Sequence, residues 1–367
     1  MEDDLSAAGV IDAVWSAQDT TPSAIEAALR DLVSQRHREN EGYVPARALN
    51  LVCIVDAQFS GEIANRLRRV GRYHASRTVV CSVEPGRSTI DARASVASEA
   101  DPRPGEFSLM RETVIVSVGE RHLPHLARIV DPLVVTDLAT VVWSPHGHHE
   151  AVDSLVRRVG GSSPVAQCVL LDSAGEPEAH AALDRICTLA ENVEIVDLAW
   201  LRVTPWRERV AAHYDPPDRR PELHTLAKIS VRHGPDSLLS GLLLVGWLCD
   251  RLGWHPEQLT RHGDLLRGRA RGHRGEVELR LEPYGRMGVP GLAGVEIRSD
   301  LGAMLALERG TGGLTARRRE RRGEEREWTV LGASRGEPGI LGEGIRHALL
   351  PDATYAPALA AARRMLA

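Results

Sequence analysis

The sequence predicts a mixed α/β protein, in which a mostly parallel sheet with helices on both faces is followed by an α+β domain with an antiparallel sheet. In the first part of the chain, apolar runs of strand length alternate with stretches of helical periodicity. In the last part, alternating apolar and polar segments follow one another with few helices between them. The length of 367 residues and the 43% apolar content are sufficient for two domains.

The first predicted element is a helical lead-in within residues 1–45. Thr21 and Pro22 have the residue types of an N-cap and a first helical position. Ile25 and Leu29 then recur at helical spacing. We therefore expect a helix that begins at Pro22.

The α/β domain is predicted over residues 46–214. Residues 90–96 and 113–118 are joined by a polar loop that contains proline and glycine, so these two strands are expected to pair in antiparallel fashion. The predicted strands are 49–55, 78–83, 90–96, 113–118, 140–143 and 168–171, and the predicted helices are 60–71, 122–130, 150–159 and 177–190.

A proline-rich segment at residues 215–221 is the clearest break in the chain, because its three prolines are incompatible with a helix or a central strand. We therefore expect the second domain to cover residues 222–367. Its predicted strands are 226–231, 265–271, 276–281, 294–298, 304–307, 314–318 and 328–331, and its predicted helices are 237–252, 340–349 and 356–366.

Charge and hydropathy exclude two classes of partner. The formal net charge is -5, whereas nucleic-acid-binding proteins usually carry a basic surplus. The single arginine cluster, at residues 317–322, is followed by three glutamates and is interpreted as a solvated hairpin tip. The longest apolar run, at residues 238–249, is too short to cross a bilayer. Neither a nucleic acid nor a membrane is therefore expected as a partner.

The acidic N-terminal residues MEDDLSAAGV lack the features of a secretory signal, so a cytoplasmic location is expected. The cysteines form no C-x-x-C pair. Cys53, Cys81, Cys168 and Cys249 lie within apolar patterns, which predicts buried and reduced thiols.

The common catalytic and nucleotide-binding motifs are absent from the sequence, which contains no P-loop, no dinucleotide-binding glycine pattern and no H-E-x-x-H. His146, His148 and His149 form a short histidine cluster, for which an exposed loop is favoured over a metal site. We therefore expect no cofactor, no metal and no catalytic residues.

Two segments contain candidate binding residues. His74, Ser76 and Arg77 precede a predicted strand and could hold a phosphate or carboxylate, although a structural role at the strand start is favoured.

The second segment, residues 197–210, is the densest in tryptophan and arginine. Arg202, Trp206 and Arg207 are candidate partner-binding residues, because Trp and Arg dominate protein interfaces. A core position between domains explains the tryptophans equally well. We expect Trp200 in the core, Arg207 nearer the surface and a turn at Pro205.

The stretch Leu198-Ala199-Trp200-Leu201-Arg202-Val203-Thr204-Pro205-Trp206-Arg207 resembles the LAWxRxTPWR signature of the glucose-6-phosphate dehydrogenase assembly protein family, known as OpcA. Three further matches occur in order, at residues 47–52, 74–78 and 246–254. The chain departs from the family pattern at Ala75 and around Val142–Gly147, which leaves the fold expectation unchanged.

The resemblance implies a non-catalytic partner that promotes assembly or activity of glucose-6-phosphate dehydrogenase in the oxidative pentose phosphate pathway. An alternative hypothesis is a Rossmann-like enzyme, or a protein that binds a sugar phosphate or nucleotide at a site formed by distant residues such as His74, Arg77 and Arg207.

Overall fold

A computed structural model describes residues 10–71, 75–98, 103, 105–158, 163–176, 178–285, 287–310, 312–331 and 336–366. The chain forms two compact units, of which the first comprises Met1–Leu171 with Asn192–Ile195, and the second comprises Asp172–Glu191 with Val196–Ala367. The helices between residues 179 and 214, which the sequence places in the first domain, pack with helices of the second unit. The domain limits 1–45, 46–214 and 222–367 concern autonomous folding and stay predictions.

The first unit is built on a nine-stranded sheet, called sheet A, with the strand order β1-β5-β6-β4-β3-β7-β8-β9 and with β2 beside β6. β3 pairs in parallel with β4 and β7, and β4 pairs in parallel with β6. β5 is antiparallel to both β1 and β6, and the pairing of β5 with β6 is the one that the sequence predicts. The strands are β1 (Val10–Ala17), β2 (Tyr43–Pro45), β3 (Leu49–Asp56), β4 (Ser76–Val83), β5 (Asp91–Ser98), β6 (Ser108–Val118), β7 (Thr140–Trp143), β8 (Cys168–Leu171) and β9 (Glu194–Asp197).

The helices of the first unit follow the predicted pattern with one difference. The Thr21 hydroxyl accepts a hydrogen bond from the Ala24 N–H and caps the first helix, as expected. The helix predicted over residues 122–130 instead begins as a 3₁₀ helix, Glu120–His125, which contains Pro124. The α-helices are α1 (Pro22–Glu39), α2 (Ser60–Gly71), α3 (Leu126–Val130) and α4 (His149–Val156).

The second unit contains another nine-stranded sheet, called sheet B, with the order β11-β13-β14-β10-β15-β16-β17-β18 and with β12 beside β13. Its described pairs are antiparallel apart from β10 and β14, which run parallel. The strands are β10 (Leu226–His233), β11 (His255–Pro256), β12 (Thr260–His262), β13 (Leu265–Arg271), β14 (Glu276–Pro283), β15 (Leu292–Ser299), β16 (Met304–Gly310), β17 (Gly313–Arg319) and β18 (Glu325–Leu331).

Helices of the second unit pack closely on one another. A Cβ atom at Gly246 would lie 2.3 Å from the carbonyl oxygen of Ala358, so only glycine permits this approach. Gly253 ends the Gly246 helix in the left-handed conformation, with φ of 66°. The helices are α5 (Ala179–Ala190), α6 (Leu198–Arg202), α7 (Thr204–Tyr214), α8 (Leu238–Leu252), α9 (Gly336–His347) and α10 (Tyr355–Leu366).

The prediction of buried cysteines is confirmed for Cys53, Cys81, Cys168 and Cys249, all of which are free thiols. Burial raises the pKa of Cys81 and of Cys168 to about 12. These side chains therefore behave as small apolar residues of the core.

Candidate functional site

The signature segment, residues 197–207, begins with a buried carboxylate. Oδ1 of Asp197 accepts hydrogen bonds from the backbone N–H groups of Ala199 at 2.9 Å and Ser173 at 3.1 Å, so Asp197 caps α6. The Tyr355 hydroxyl donates to Oδ2 at 3.2 Å. Burial, together with the nearby charge of Asp172, raises the pKa of Asp197 to about 6.

A one-residue break separates the two helices of the segment. α6 ends at Arg202, and α7 begins at Thr204, so Val203 alone connects them. Pro205 lies in the first turn of α7, where its missing N–H removes no intrahelical hydrogen bond. The chain thus turns at Val203, two residues before the turn expected at Pro205.

Trp200, Arg207 and Asp352 form a closed polar network. The Trp200 indole N–H donates to Oδ2 of Asp352 at 2.8 Å. The Arg207 guanidinium stacks on the Trp200 ring, 3.5 Å from its centroid, and Nη1 donates to the same oxygen at 3.3 Å. Nη2 donates to Thr204 Oγ1 at 2.9 Å, and the Thr354 hydroxyl donates to Oδ1 of Asp352 at 2.6 Å.

The network corrects one expectation about exposure. Trp200 and Trp206 are each 2% exposed, so the prediction that Trp200 lies in the core is confirmed. Arg207, expected nearer the surface, is only 9% exposed. The reason is that the flat guanidinium covers the Trp200 ring and is neutralised there by Asp352, which compensates for burying the charge.

Burial and hydrogen bonding have opposite effects on the titration of this network. Burial lowers the pKa of the Arg207 guanidinium, although Asp352 opposes that change. For Asp352, burial acts to raise the pKa. The hydrogen bonds from Thr354 and Trp200 and the charge of Arg207 outweigh burial and hold the pKa below its ordinary value. Asp352 is thus stabilised as a carboxylate.

Arg202, the other candidate arginine of the signature segment, forms a separate ion pair with Asp172. Both of its terminal nitrogens donate to the Asp172 carboxylate, each at 2.7 Å, in a bidentate pair. The Arg202 side chain is 6% exposed. It therefore contributes to the internal structure of the second unit.

The helical spacing divides the signature segment into two faces. Trp200 and Arg207 lie on the face with Asp352. The other face lines a cleft of about 550 Å³ in the second unit, opposite the β16–β17 hairpin and α9. The cleft is lined by Leu201, Arg202, Thr204, Pro205, Trp206, Glu208, Arg209, Val289, Pro290, Arg309, Gly310, Gly312, Gly313, Leu314, Gly336, Ile340 and Glu343.

Reasoning from the sequence missed Asp172, Asp352, Arg209 and Arg309. The two aspartates lie 30 and 145 residues from the arginines they bind, so no local spacing indicates them. Arg209 could have been found, because it follows Leu201, Thr204, Pro205 and Glu208 at helical spacing.

The candidate residues of the first unit are structural in their contacts. Nε of Arg77 donates to Oε2 of buried Glu112 at 2.8 Å, and Nη1 donates to the Leu133 carbonyl at 3.3 Å. The Ser76 hydroxyl lies 3.2 Å from that of Thr78. His74 lies outside the described residues. Arg77 thus satisfies a carboxylate and a carbonyl, as the favoured structural role requires.

The histidine cluster contacts the end of β3. Nδ1 of His146 accepts a hydrogen bond from the Asp56 N–H at 3.0 Å, and Nε2 of His148 lies 2.9 Å from Asp56 Oδ1. Burial lowers the pKa of His146. No group of metal-ligating side chains is found within the described ranges.

The arginine cluster flanks a hairpin between β17 and β18, as predicted, but one member is not solvated. Arg318 is 6% exposed and pairs with Glu222 at 3.3 Å and Glu320 at 2.7 Å. It pairs in register with Arg326 of β18, and it lies on the same face of β17 as the buried Leu314 and Ala316. Period-two alternation explains why a basic run still contains a buried residue.

Within the described part of the chain, no helix has the length and apolar character needed to span a bilayer.

Two domain profiles of one family, described as glucose-6-phosphate dehydrogenase subunit, match the chain in order. Residues 67–188 match the N-terminal domain of that family. Residues 193–359 match its C-terminal domain. The second match includes the whole signature segment and Asp352.

Cyanobacterial relatives named as OxPP cycle protein OpcA are also similar to the chain. The relative from Nostoc punctiforme is 35% identical over 146 residues, which are 40% of this chain and 30% of the relative. Those from Synechocystis sp. and Synechococcus elongatus are 27% and 24% identical, over 36% and 48% of this chain. The matched segments span only 28% to 39% of the relatives' own lengths.

Solved structures with a similar course of the chain include a super-repressor mutant of Gal80p from Saccharomyces cerevisiae, with 9% identity and a TM-score of 0.46 over 81% of this chain and 83% of that one. The WlbA dehydrogenase from Thermus thermophilus gives 15% identity and a TM-score of 0.40 over 87% and 96%. Likenesses at this level give no basis for assigning a ligand or a reaction.

Proposed function

The chain belongs to the OpcA family of glucose-6-phosphate dehydrogenase assembly proteins, and from this premise we propose that it binds glucose-6-phosphate dehydrogenase and promotes its assembly or activity. The process would be the oxidative pentose phosphate pathway, and the chain itself would not catalyse a reaction. The observation that carries the proposal is the ordered match to both family domains, over residues 67–188 and 193–359.

The contacts of the signature segment support a scaffolding role for it. Arg202 is held by Asp172, and Arg207 is held by Asp352 and the Trp200 ring. Groups that are buried and paired in this way stabilise a local geometry more readily than they bind a substrate. The signature is therefore proposed to maintain the shape of the second unit, while other surfaces contact the dehydrogenase.

The proposal is tested by mixing the purified chain with the dehydrogenase from the same organism. We expect co-elution on a sizing column at micromolar concentration, and an increase in kcat/KM or a larger dehydrogenase assembly. A stable complex would bury about 1,200 to 2,000 Å² in total. Unchanged kinetics together with separate elution would refute the proposal.

The chain alone, incubated with glucose 6-phosphate and NADP, provides the control for intrinsic catalysis. We expect no NADPH formation, whereas turnover by the chain alone would favour the alternative of a Rossmann-like enzyme.

The variant Arg207→Ala distinguishes a scaffolding role of the signature segment from a role in contacting the dehydrogenase. If the signature is a scaffold, this variant melts lower but its folded fraction keeps its affinity for the dehydrogenase.

A further inference from the structure

The cleft between the α6–α7 segment and the β16–β17 hairpin has the size of a metabolite site. Its volume of about 550 Å³ is formed entirely by residues of the second unit. Pockets for small molecules typically measure about 300 to 1,000 Å³. The proposed binding of the dehydrogenase makes no use of it.

The arginines on the cleft wall differ in how they are engaged. Arg202 is neutralised by Asp172, and Nε of Arg309 donates to the Leu292 carbonyl at 3.0 Å. Arg209 is half-buried, and among the described residues its guanidinium has no ion pair and its buried Nε has no acceptor. A half-buried cation without a counter-charge is unfavourable, so an anion that enters the cleft gains a strong partner.

The carboxylates of the cleft do not supply that partner. Oε1 of Glu343 lies 3.2 Å from His347 Nε2 and is also bound by Arg346. Glu208 is exposed to solvent. A positive charge on Arg209 is thus left available on the described wall.

The first turn of α7 and the turn between β16 and β17 shape the cleft. Thr204, Pro205 and Trp206 line it, but Pro205 has no N–H and the Trp206 N–H donates to the Val203 carbonyl at 3.1 Å, so this turn adds little to the attraction that Arg209 exerts on an anion. Gly312, with φ of 79°, forms a bare turn across the cleft, and a Cβ there would meet no atom within 4 Å. The open backbone at this turn leaves room for a bound group.

The remaining wall is apolar and includes Leu201, Trp206, Leu314 and Ile340. We infer that the cleft binds a small organic phosphate, whose phosphate group contacts Arg209. Its ring or hydrocarbon body packs on the apolar wall. This inference goes beyond the proposed function and does not depend on the dehydrogenase.

Calorimetric titration of the full chain tests the inference with four probes: AMP, glucose 6-phosphate, inorganic phosphate and adenosine. We expect saturable binding of at least one of the two organic phosphates, weakened by added salt and tighter than that of inorganic phosphate or adenosine. Arg209→Gln should weaken it about tenfold or more, since a hydrogen bond to a charged group contributes about 1.5 to 3 kcal/mol. Arg209→Lys should retain part of the affinity.

Arg269→Gln is the matched control, because Arg269 loses the same charge on a side chain that is 64% exposed and outside the cleft. Its affinity for the organic phosphate should equal that of the wild type. The inference is overturned if neither organic phosphate binds, if adenosine or inorganic phosphate binds as tightly, or if Arg209→Gln and Arg269→Gln lose affinity equally. The dehydrogenase is absent from these titrations, so failure here leaves the proposed function intact.

Discussion

Sheets A and B bury their strands in different ways. In β3 of sheet A, seven successive residues from Leu49 to Val55 are buried, so both faces of this parallel strand are covered. In β10 of sheet B, Leu226, Ile229 and Val231 are buried while Lys228 and Ser230 are partly exposed. One face of sheet B is therefore open to solvent around β10.

The open face of sheet B contains ion pairs between side chains of different strands. Lys228 bonds Glu278 of β14 at 3.1 Å, and Arg232 bonds Glu308 at 2.9 Å. Such exposed pairs contribute about 0 to 1 kcal/mol each. The same strand geometry therefore places most of its stabilisation on two faces in sheet A and on one face in sheet B.

A buried charge should reveal this contrast most strongly. Val80 of β4 is fully buried, so Val80→Asp places an unpaired carboxylate in the core and should cost about 4 kcal/mol or more of unfolding free energy. Ser230→Asp on the open face, between Arg280 and Glu296, should cost less than about 1 kcal/mol. Denaturant titration measures both. Similar losses would show that the open face of sheet B is covered in solution.

The contrast extends to buried and exposed side chains within the second unit. Trp200→Ala removes a buried ring, its hydrogen bond to Asp352 and the surface on which Arg207 stacks, so we expect a loss of about 3 to 5 kcal/mol. Arg207→Ala should cost about 2 to 3 kcal/mol, because it removes the counter-charge of Asp352. Arg269→Ala on the open face should cost under about 0.5 kcal/mol. If Arg269→Ala and Arg207→Ala lower the melting temperature equally, the stabilising role assigned to the buried pair of Arg207 and Asp352 is contradicted.

A smaller effect concerns pH in the second unit. Because the pKa of Asp197 is about 6 in the folded state against an ordinary value of 3.8, the folded state holds the extra proton between these values. The contribution of Asp197 to stability therefore falls as pH rises from about 4 to 6. Asp197→Asn removes this loss, so relative to wild type it should gain on the order of 2 to 3 kcal/mol between pH 4 and pH 7.

His213 supplies a control of opposite sign. Burial, with the charges of Arg318 and Arg219, lowers the pKa of His213 to about 4, so the unfolded state binds the extra proton between about pH 4 and 6.5. The contribution of His213 falls as pH decreases through that range. His213→Gln should therefore gain stability relative to wild type on acidification, as urea titrations at several pH values would show. Parallel trends for the two variants would refute one of the two assignments, and the direction of the shared trend would show which.

The elements best predicted from the sequence are those with strong local signals. The apolar run of β3 and the Thr21 cap of α1 determine their structures by burial and by hydrogen bonding. β1, whose residues Val10–Ala17 alternate weakly at an edge of sheet A, is not predicted. The 3₁₀ helix Glu120–His125 also differs from the prediction, because Pro124 disrupts the regular α-helical pattern.

The candidate site is predictable only as a segment. Tryptophan and arginine density identifies residues 197–210, but the roles of Arg202 and Arg207 depend on Asp172 and Asp352. Those pairings join distant parts of the chain through packing, which no local pattern records. This is why the sequence predicts Arg207 nearer the surface and the structure buries it.

Asp352 couples the effects of substitutions at distant positions of the chain. Its carboxylate serves Trp200 and Arg207, which precede it by 152 and 145 residues, so the three side chains form one epistatic unit. A substitution at any one of them changes the effect of substitutions at the other two. Chimeras between homologues should therefore tolerate a crossover before residue 200 or after residue 352 better than one between them, unless both parents carry the same three residues.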